Sequence, residues 1–139
     1  MALYVLDTDH LSLLQRGNEN IRTHLLVIAP AEIAITVVSL EEQLRGWLAV
    51  IHKASNGEQR IKAYYQLKEI TQAFSELNIL DYNEQAEQLF EQFRKEKNRI
   101  GTQDLRIACI VLTNKAVLIT RNQRDFSQIS GLQTQDWSI

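Results

Sequence analysis

The sequence predicts an α/β fold: a central, mostly parallel sheet of four to five strands with helices on both faces, as one domain over residues 1–139. Three observations carry this. Short apolar runs of strand length alternate with segments whose apolar residues recur at helical spacing. Four carboxylates, Asp7, Glu42, Asp104 and Asp125, fall just past an apolar run or in a helix's first turn, the edge where open α/β sheets build their sites. The chain has one proline and no linker, repeat or low-complexity tract, and 139 residues suffice for a core of their own.

The first strand is expected at 3–7, followed by a helix capped by Thr8 or Asp9, with Gly17 just past its end. Asn18 caps a second helix, on which Ile21, Leu25 and Ile28 share a face, and Pro30 stops it. Residues 33–38 read as the second strand. Ser39 caps the next helix, with Leu40, Leu44, Trp47, Leu48 and Ile51 on one face. Ser55-Asn56-Gly57 is a break. A long helix over 58–75 is expected to bury Ile61, Tyr64 or Tyr65, Ile70 and Phe74. Residues 77–80 form a short strand, and 83–98 a helix with Ala86, Leu89, Phe90 and Phe93 inward. Thr102 caps a helix that is almost wholly apolar from Ile107 to Leu112, hence central. Strands at 117–120 and 132–134 complete the sheet, with a turn at 129–131 between them.

Hydrophobic residues make up 45% of the chain and charged residues 23%, as in ordinary soluble domains. The single cysteine, Cys109, rules out an intrachain disulfide and fits a reducing compartment. The N-terminal apolar run is too short for a signal peptide and no stretch reaches membrane-spanning length, so a cytoplasmic protein without membrane contact is expected. The net charge of −2 lacks the basic excess of many nucleic-acid binders. Four of the negative charges are the site candidates themselves, however, so the balance decides little.

Each acid has a structural as well as a chemical reading. Asp7 could cap the helix after it. Glu42 completes a capping box with Ser39, Ser-Leu-Glu-Glu, in which it reaches back to the Ser39 amide. Asp104 suits the positive end of a helix but borders a buried wall, Ile107-Ala108-Cys109. Asp125 could pair with Arg121 or Arg124. Carboxylates sharing a small volume need something to neutralise them, and an oxygen-only set favours magnesium, with manganese possible. Cys109 reads as core, and His10, His24 and His52 have no zinc-ligand spacing. Arg94, Lys95, Lys97 and Arg99, with Arg106, Arg121 and Arg124, are either solvated charges or a phosphate rail.

The segments Leu6-Asp7-Thr8-Asp9, Ser39-Leu40-Glu41-Glu42-Gln43-Leu44-Arg45-Gly46, Gly101-Thr102-Gln103-Asp104-Leu105-Arg106-Ile107-Ala108 and Leu118-Ile119-Thr120-Arg121-Asn122-Gln123-Arg124-Asp125-Phe126 together resemble the PIN-domain ribonucleases. The likeness is greatest to VapC-type toxins of prokaryotic toxin–antitoxin pairs. It spans nearly the whole chain and extends to Ile129-Ser130-Gly131-Leu132 and Asp136-Trp137. Two departures stand out: Gln43 replaces the leucine usual after the glutamate, and residues 52–76 match nothing assignable. Glu42 rather than Glu41 is chosen because it stands four residues before Gly46.

The resemblance implies a PIN-like domain whose core metal ligands are Asp7 and Asp104, with Glu42 and Asp125 completing an acidic pocket. The activity it implies is magnesium-dependent hydrolysis of RNA phosphodiester bonds. Thr8, Asn122 and Arg121 are candidates to orient ligands or phosphate. The implied partners are an RNA substrate, a cognate antitoxin and a second copy of the chain. The alternatives are an inert PIN-like RNA- or protein-binding module and a small-molecule phosphohydrolase.

Overall fold

The structure is a computed structural model and describes residues 2–96 and 98–139. Among these, five strands form one sheet in the order β3-β2-β1-β4-β5, every pair parallel: β1 Tyr4–Leu6, β2 Ile33–Thr36, β3 Ile79–Leu80, β4 Val117–Ile119 and β5 Gln133–Gln135. Central β1 aligns Tyr4 with Ile33 of β2 and with Val117 of β4. Because β1 is followed on one side by β2 and on the other by β4, the chain reverses its winding beside β1. Crevices at such switch points open at the carboxyl ends of the strands.

The pleat sends alternate residues to opposite faces. Val5, Ala34 and Leu118 pack with α5 (Glu84–Arg94) and α6 (Thr102–Thr113) through Phe90, Phe93, Ile107 and Ile110. Leu6, Ile35 and Ile119 pack on the other face with α1 (Thr8–Gln15), α2 (Glu19–Leu26) and α4 (Gly57–Ser75) through Leu11, Ile21, Ile70 and Phe74. Helix α3 (Val37–Lys53) contributes Val38 to the first core and Leu40 and Trp47 to the second. Helix α6 is the central one, with Leu105 and every residue from Ile107 to Val111 buried. Burial pushes the Cys109 thiol up to about 12, as a core position requires.

Several expectations are corrected. Helix α1 is capped by Asp7, whose carboxylate accepts the His10 N–H, rather than by Thr8 or Asp9. Strand β2 ends at Thr36, and Val37 and Val38 already belong to α3. The α3 cap is Thr36, which accepts the Ser39 N–H, so Ser39 is inside the helix and no Ser39–Glu42 capping box forms. Pro30 opens a 3-10 turn, Pro30–Glu32, after α2 has ended. Gly101, not Thr102, precedes α6, and β5 lies one residue later than expected. On α4, Ile61 is 74% exposed and Tyr64 and Tyr65 are both exposed; Ala63, Ile70 and Phe74 form its buried face.

Candidate functional site

The carboxyl edge of the sheet is polar because each strand runs out of apolar residues there. After Leu6 comes Asp7, after Ile35 comes Thr36, and after Ile119 come Thr120, Arg121 and Asn122. The Asp7 N–H donates to the Ile119 carbonyl oxygen at 3.0 Å, so β1 and β4 are still tied together where Asp7 leaves the sheet. Above this edge lies a cavity of about 610 Å³ lined by Asp7, Thr8, Asp9, Ser12, Glu42, Asp104, Arg121 and Asn122.

Three of the four acids line it. Asp7 arrives from β1 and is nearly buried. Glu42 comes from the second turn of α3, Asp104 from the first turn of α6. Asp125, in the short α7 (Gln123–Phe126), stands outside the lining but close enough for its field to act on Asp104. Its carboxylate accepts a hydrogen bond from Asn122 Nδ2 at 3.0 Å.

Asp104 reports the electrostatics of the group. Burial first, then the charges of Asp7, Glu42 and Asp125, raise its pKa from the usual carboxylate range to about 6. Among the described residues nothing offsets that: no cation and no hydrogen-bond donor acts on it. The positive charge at the cavity is that of Arg121, which couples to Asp9 and Asp7 and leaves Asp104 uncompensated.

Glu42 is held from an unexpected side. The Thr8 hydroxyl donates to Glu42 Oε1 at 2.7 Å and lies 2.8 Å from Ser39 Oγ. Thr8 has one hydroxyl proton, which the carboxylate takes, so Ser39 donates to Thr8. The relay Ser39–Thr8–Glu42 joins α1 to α3. Beside it, Gln15 and Gln43 exchange amide hydrogen bonds at 2.8 and 3.0 Å, and Gln43 also donates to Ser12 Oγ. The glutamine that stands in place of the usual leucine thus braces the same pair of helices. Glu41 lies outside the cavity, bound to Arg45 at 2.8 Å and accepting from Gln103.

The basic residues divide. Arg121 Nε lies 2.7 Å from Asp9 Oδ2 at the mouth of the cavity. Arg94 pairs with Glu91, and Arg106 lies over the Phe90 ring while donating to Gln103. Both make contacts within the chain, and neither lines the acidic cavity. Lys95, Arg99 and Arg124 are exposed, and Lys97 lies outside the described residues. Asp9 and Ser12 line the site without having been singled out. The sequence marks Asp9 only as a cap, and Ser12 carries no local signal, since one helical turn beyond Thr8 is a meaningful position only once α1 is placed against α3.

The donor set suits a hard divalent cation. It consists largely of carboxylate and hydroxyl oxygens, and one carboxylate is driven toward protonation by burial and then by its acidic neighbours. No three His, Cys, Asp or Glu side chains among the described residues stand close enough to hold one ion jointly. A cation here would draw on one or two carboxylates and complete its shell with water, which is how magnesium is commonly bound.

Comparison with known proteins agrees with this arrangement. The family model described as PIN domain matches residues 4–132. Ribonuclease VapC1 from Haemophilus influenzae (strain R2866) is 30% identical over 140 residues, covering 98% of this chain and 98% of that protein. A tRNA(fMet)-specific endonuclease VapC from Shigella flexneri is 34% identical over 68 residues, covering 46% of this chain and 52% of that protein. The structure of VapBC-1 from nontypeable Haemophilus influenzae superposes with a TM-score of 0.74 at 26% identity, covering 99% of both chains. With the family model spanning the first four strands, β1 to β4, and with the acids gathered at the switch point, the chain belongs to the PIN-domain family.

Proposed function

We propose that this chain is a single-domain, metal-dependent endoribonuclease acting as the toxin of a VapBC-type toxin–antitoxin pair. The observation that carries the reading is the gathering of Asp7, Glu42 and Asp104 around one cavity, with Asp125 near it, where the negative field raises Asp104. In this reading Asp7 and Asp104 hold magnesium, or manganese in its place, and Glu42 and Asp125 fix its water shell. A divalent cation there lowers the pKa of water and offsets charge on the scissile phosphate. Thr8 orients Glu42, Asn122 orients Asp125, and Arg121 at the mouth meets the RNA backbone. Among the described residues no histidine or lysine lines the cavity to serve as a general base, which supports a metal-made nucleophile.

The partners follow from the same reading. An apolar groove along α3, lined by Val37, Leu40, Leu44, Leu48 and Ala49, offers a seat for an antitoxin segment or a second copy. Leu48, which lines the groove, is exposed, as is Leu26 at the end of α2. A dimer by light scattering at micromolar concentration supports the second copy; a monomer excludes it.

Cleavage of structured RNA, compared with hydrolysis of a chromogenic phosphate ester, tests the activity. RNA cleavage that needs added magnesium is expected. Ester hydrolysis alone would point to a phosphohydrolase, and neither activity to an inert copy.

A further inference from the structure

His10 is fully buried in α1, three residues past Asp7, and the function proposed above does not use it. A buried imidazole needs a partner at each ring nitrogen, because unmet polar atoms in the interior cost free energy. Nε2 has one: it accepts the main-chain N–H of Trp137 at 3.2 Å. An accepting nitrogen bears no proton, so the neutral ring carries its proton on Nδ1. That Nδ1 makes no hydrogen bond among the described residues. The carboxylate oxygen near it is Asp7 Oδ1, 3.5 Å away.

Asp7 Oδ1 also accepts the His10 main-chain N–H at 2.7 Å. One residue thus presents both its amide and its ring to the same oxygen. The segment after β5 holds the ring from behind. Its Trp137 N–H is the donor to Nε2, and Trp137, buried, stacks on His24 with centroids 5.1 Å apart; Asp136 Oδ1, 3.5 Å from Nε2, makes no hydrogen bond to the neutral ring. Asp136 in turn accepts both the N–H and the hydroxyl of Ser138.

We propose that His10 is a positioning residue for Asp7, fixing Oδ1 so that Oδ2 is presented to the divalent cation, with the ring set by the Trp137 main chain. This rests on the metal site proposed above. A carboxylate that ligates through one oxygen is held at the other, and the second hydrogen bond restricts its rotation and decides which oxygen the cation receives. At 3.5 Å the Nδ1–Oδ1 contact is long, and a cation on Asp7 would favour its tightening, as hydrogen bonds in apo sites commonly tighten on loading.

Manganese binding followed by electron paramagnetic resonance tests this without reference to cleavage. His10→Asn keeps an N–H near the Nδ1 position; His10→Gln keeps an acceptor for Trp137 but removes the donor to Asp7. With circular dichroism unchanged, His10→Gln should bind manganese about tenfold more weakly, and His10→Asn within about threefold of wild type. Wild-type affinity in folded His10→Gln overturns the proposal. If neither variant folds, the wild-type protein decides it through long-range proton–nitrogen spectra of the imidazole. A proton on Nδ1 whose signal moves on adding magnesium supports the proposal. A proton on Nε2, or an Nδ1–H signal indifferent to magnesium, overturns it. Asp7→Asn separates the two levels: wild-type manganese binding there removes the metal site itself, whatever His10 does.

Discussion

The Thr8 hydroxyl donates to Glu42 Oε1 at 2.7 Å across 34 positions of sequence, and that contact fixes the angle at which α3 presents its carboxylate to the cavity. Thr8→Val keeps the shape and the β-branch but removes the donor. It also leaves the buried Ser39 hydroxyl without its partner, so a loss of about 1 kcal/mol in stability is expected by urea unfolding. RNA cleavage should fall by about tenfold through a misoriented Glu42. Unchanged cleavage with the stability loss present would show that the contact serves the fold alone.

Asp104→Asn should abolish cleavage and, in chelator, stabilise the fold at pH 7. The sign follows from the raised pKa of about 6 against the ordinary carboxylate value of 3.8. A folded-state pKa above the unfolded one favours the native state below about pH 4, and that advantage is lost as pH rises through about 6. At pH 7 the charged Asp104 is therefore a liability that Asn lacks. After solvent screening of a half-exposed group, a gain of about 1 kcal/mol is expected. Thermal unfolding of both proteins in chelator at pH 4 and pH 7 checks it: the gain should appear at pH 7 and shrink at pH 4.

Glu41 and Glu42 are adjacent and chemically alike, yet only Glu42 lines the cavity. Glu42→Gln should lower cleavage by at least about tenfold with little effect on folding, since the amide oxygen still accepts from Thr8. Glu41→Gln should leave cleavage near wild type, because its exposed pair with Arg45 contributes at most about 1 kcal/mol. Parallel rate measurements on one RNA would expose a reversed assignment at once.

Much of this was legible because it is local. An acid straight after a buried apolar run marks the end of a strand, so Asp7 and the loop holding Asn122 and Asp125 could be placed from their neighbours alone. Asp104 could be placed because α6 is apolar beyond its first turn. Helix caps were less legible. Thr36 and Ser39 are both good caps, and the choice depends on where β2 stops pairing with β1 and β3, which the sequence around residue 36 does not state. The inner face of α4 was misread because Ile61, Tyr64 and Tyr65 form a stripe as apolar as the one through Ala63, Ile70 and Phe74. Burial there follows from where α3 lies. His10 and Ser12 were invisible for a related reason: their partners, Trp137 and Gln43, are distant in sequence.

The most direct test of the central claim is the cleavage of one structured RNA by contaminant-free wild-type protein, Asp7→Asn and Asp104→Asn, each in magnesium, calcium and excess chelator. Wild type should cleave in magnesium and lose cleavage in chelator. Calcium should support it poorly, because its looser shell positions water less strictly. Both variants, folded by circular dichroism, should be inactive in every condition. Undiminished wild-type cleavage in chelator, or full activity of either variant in magnesium, would contradict the claim.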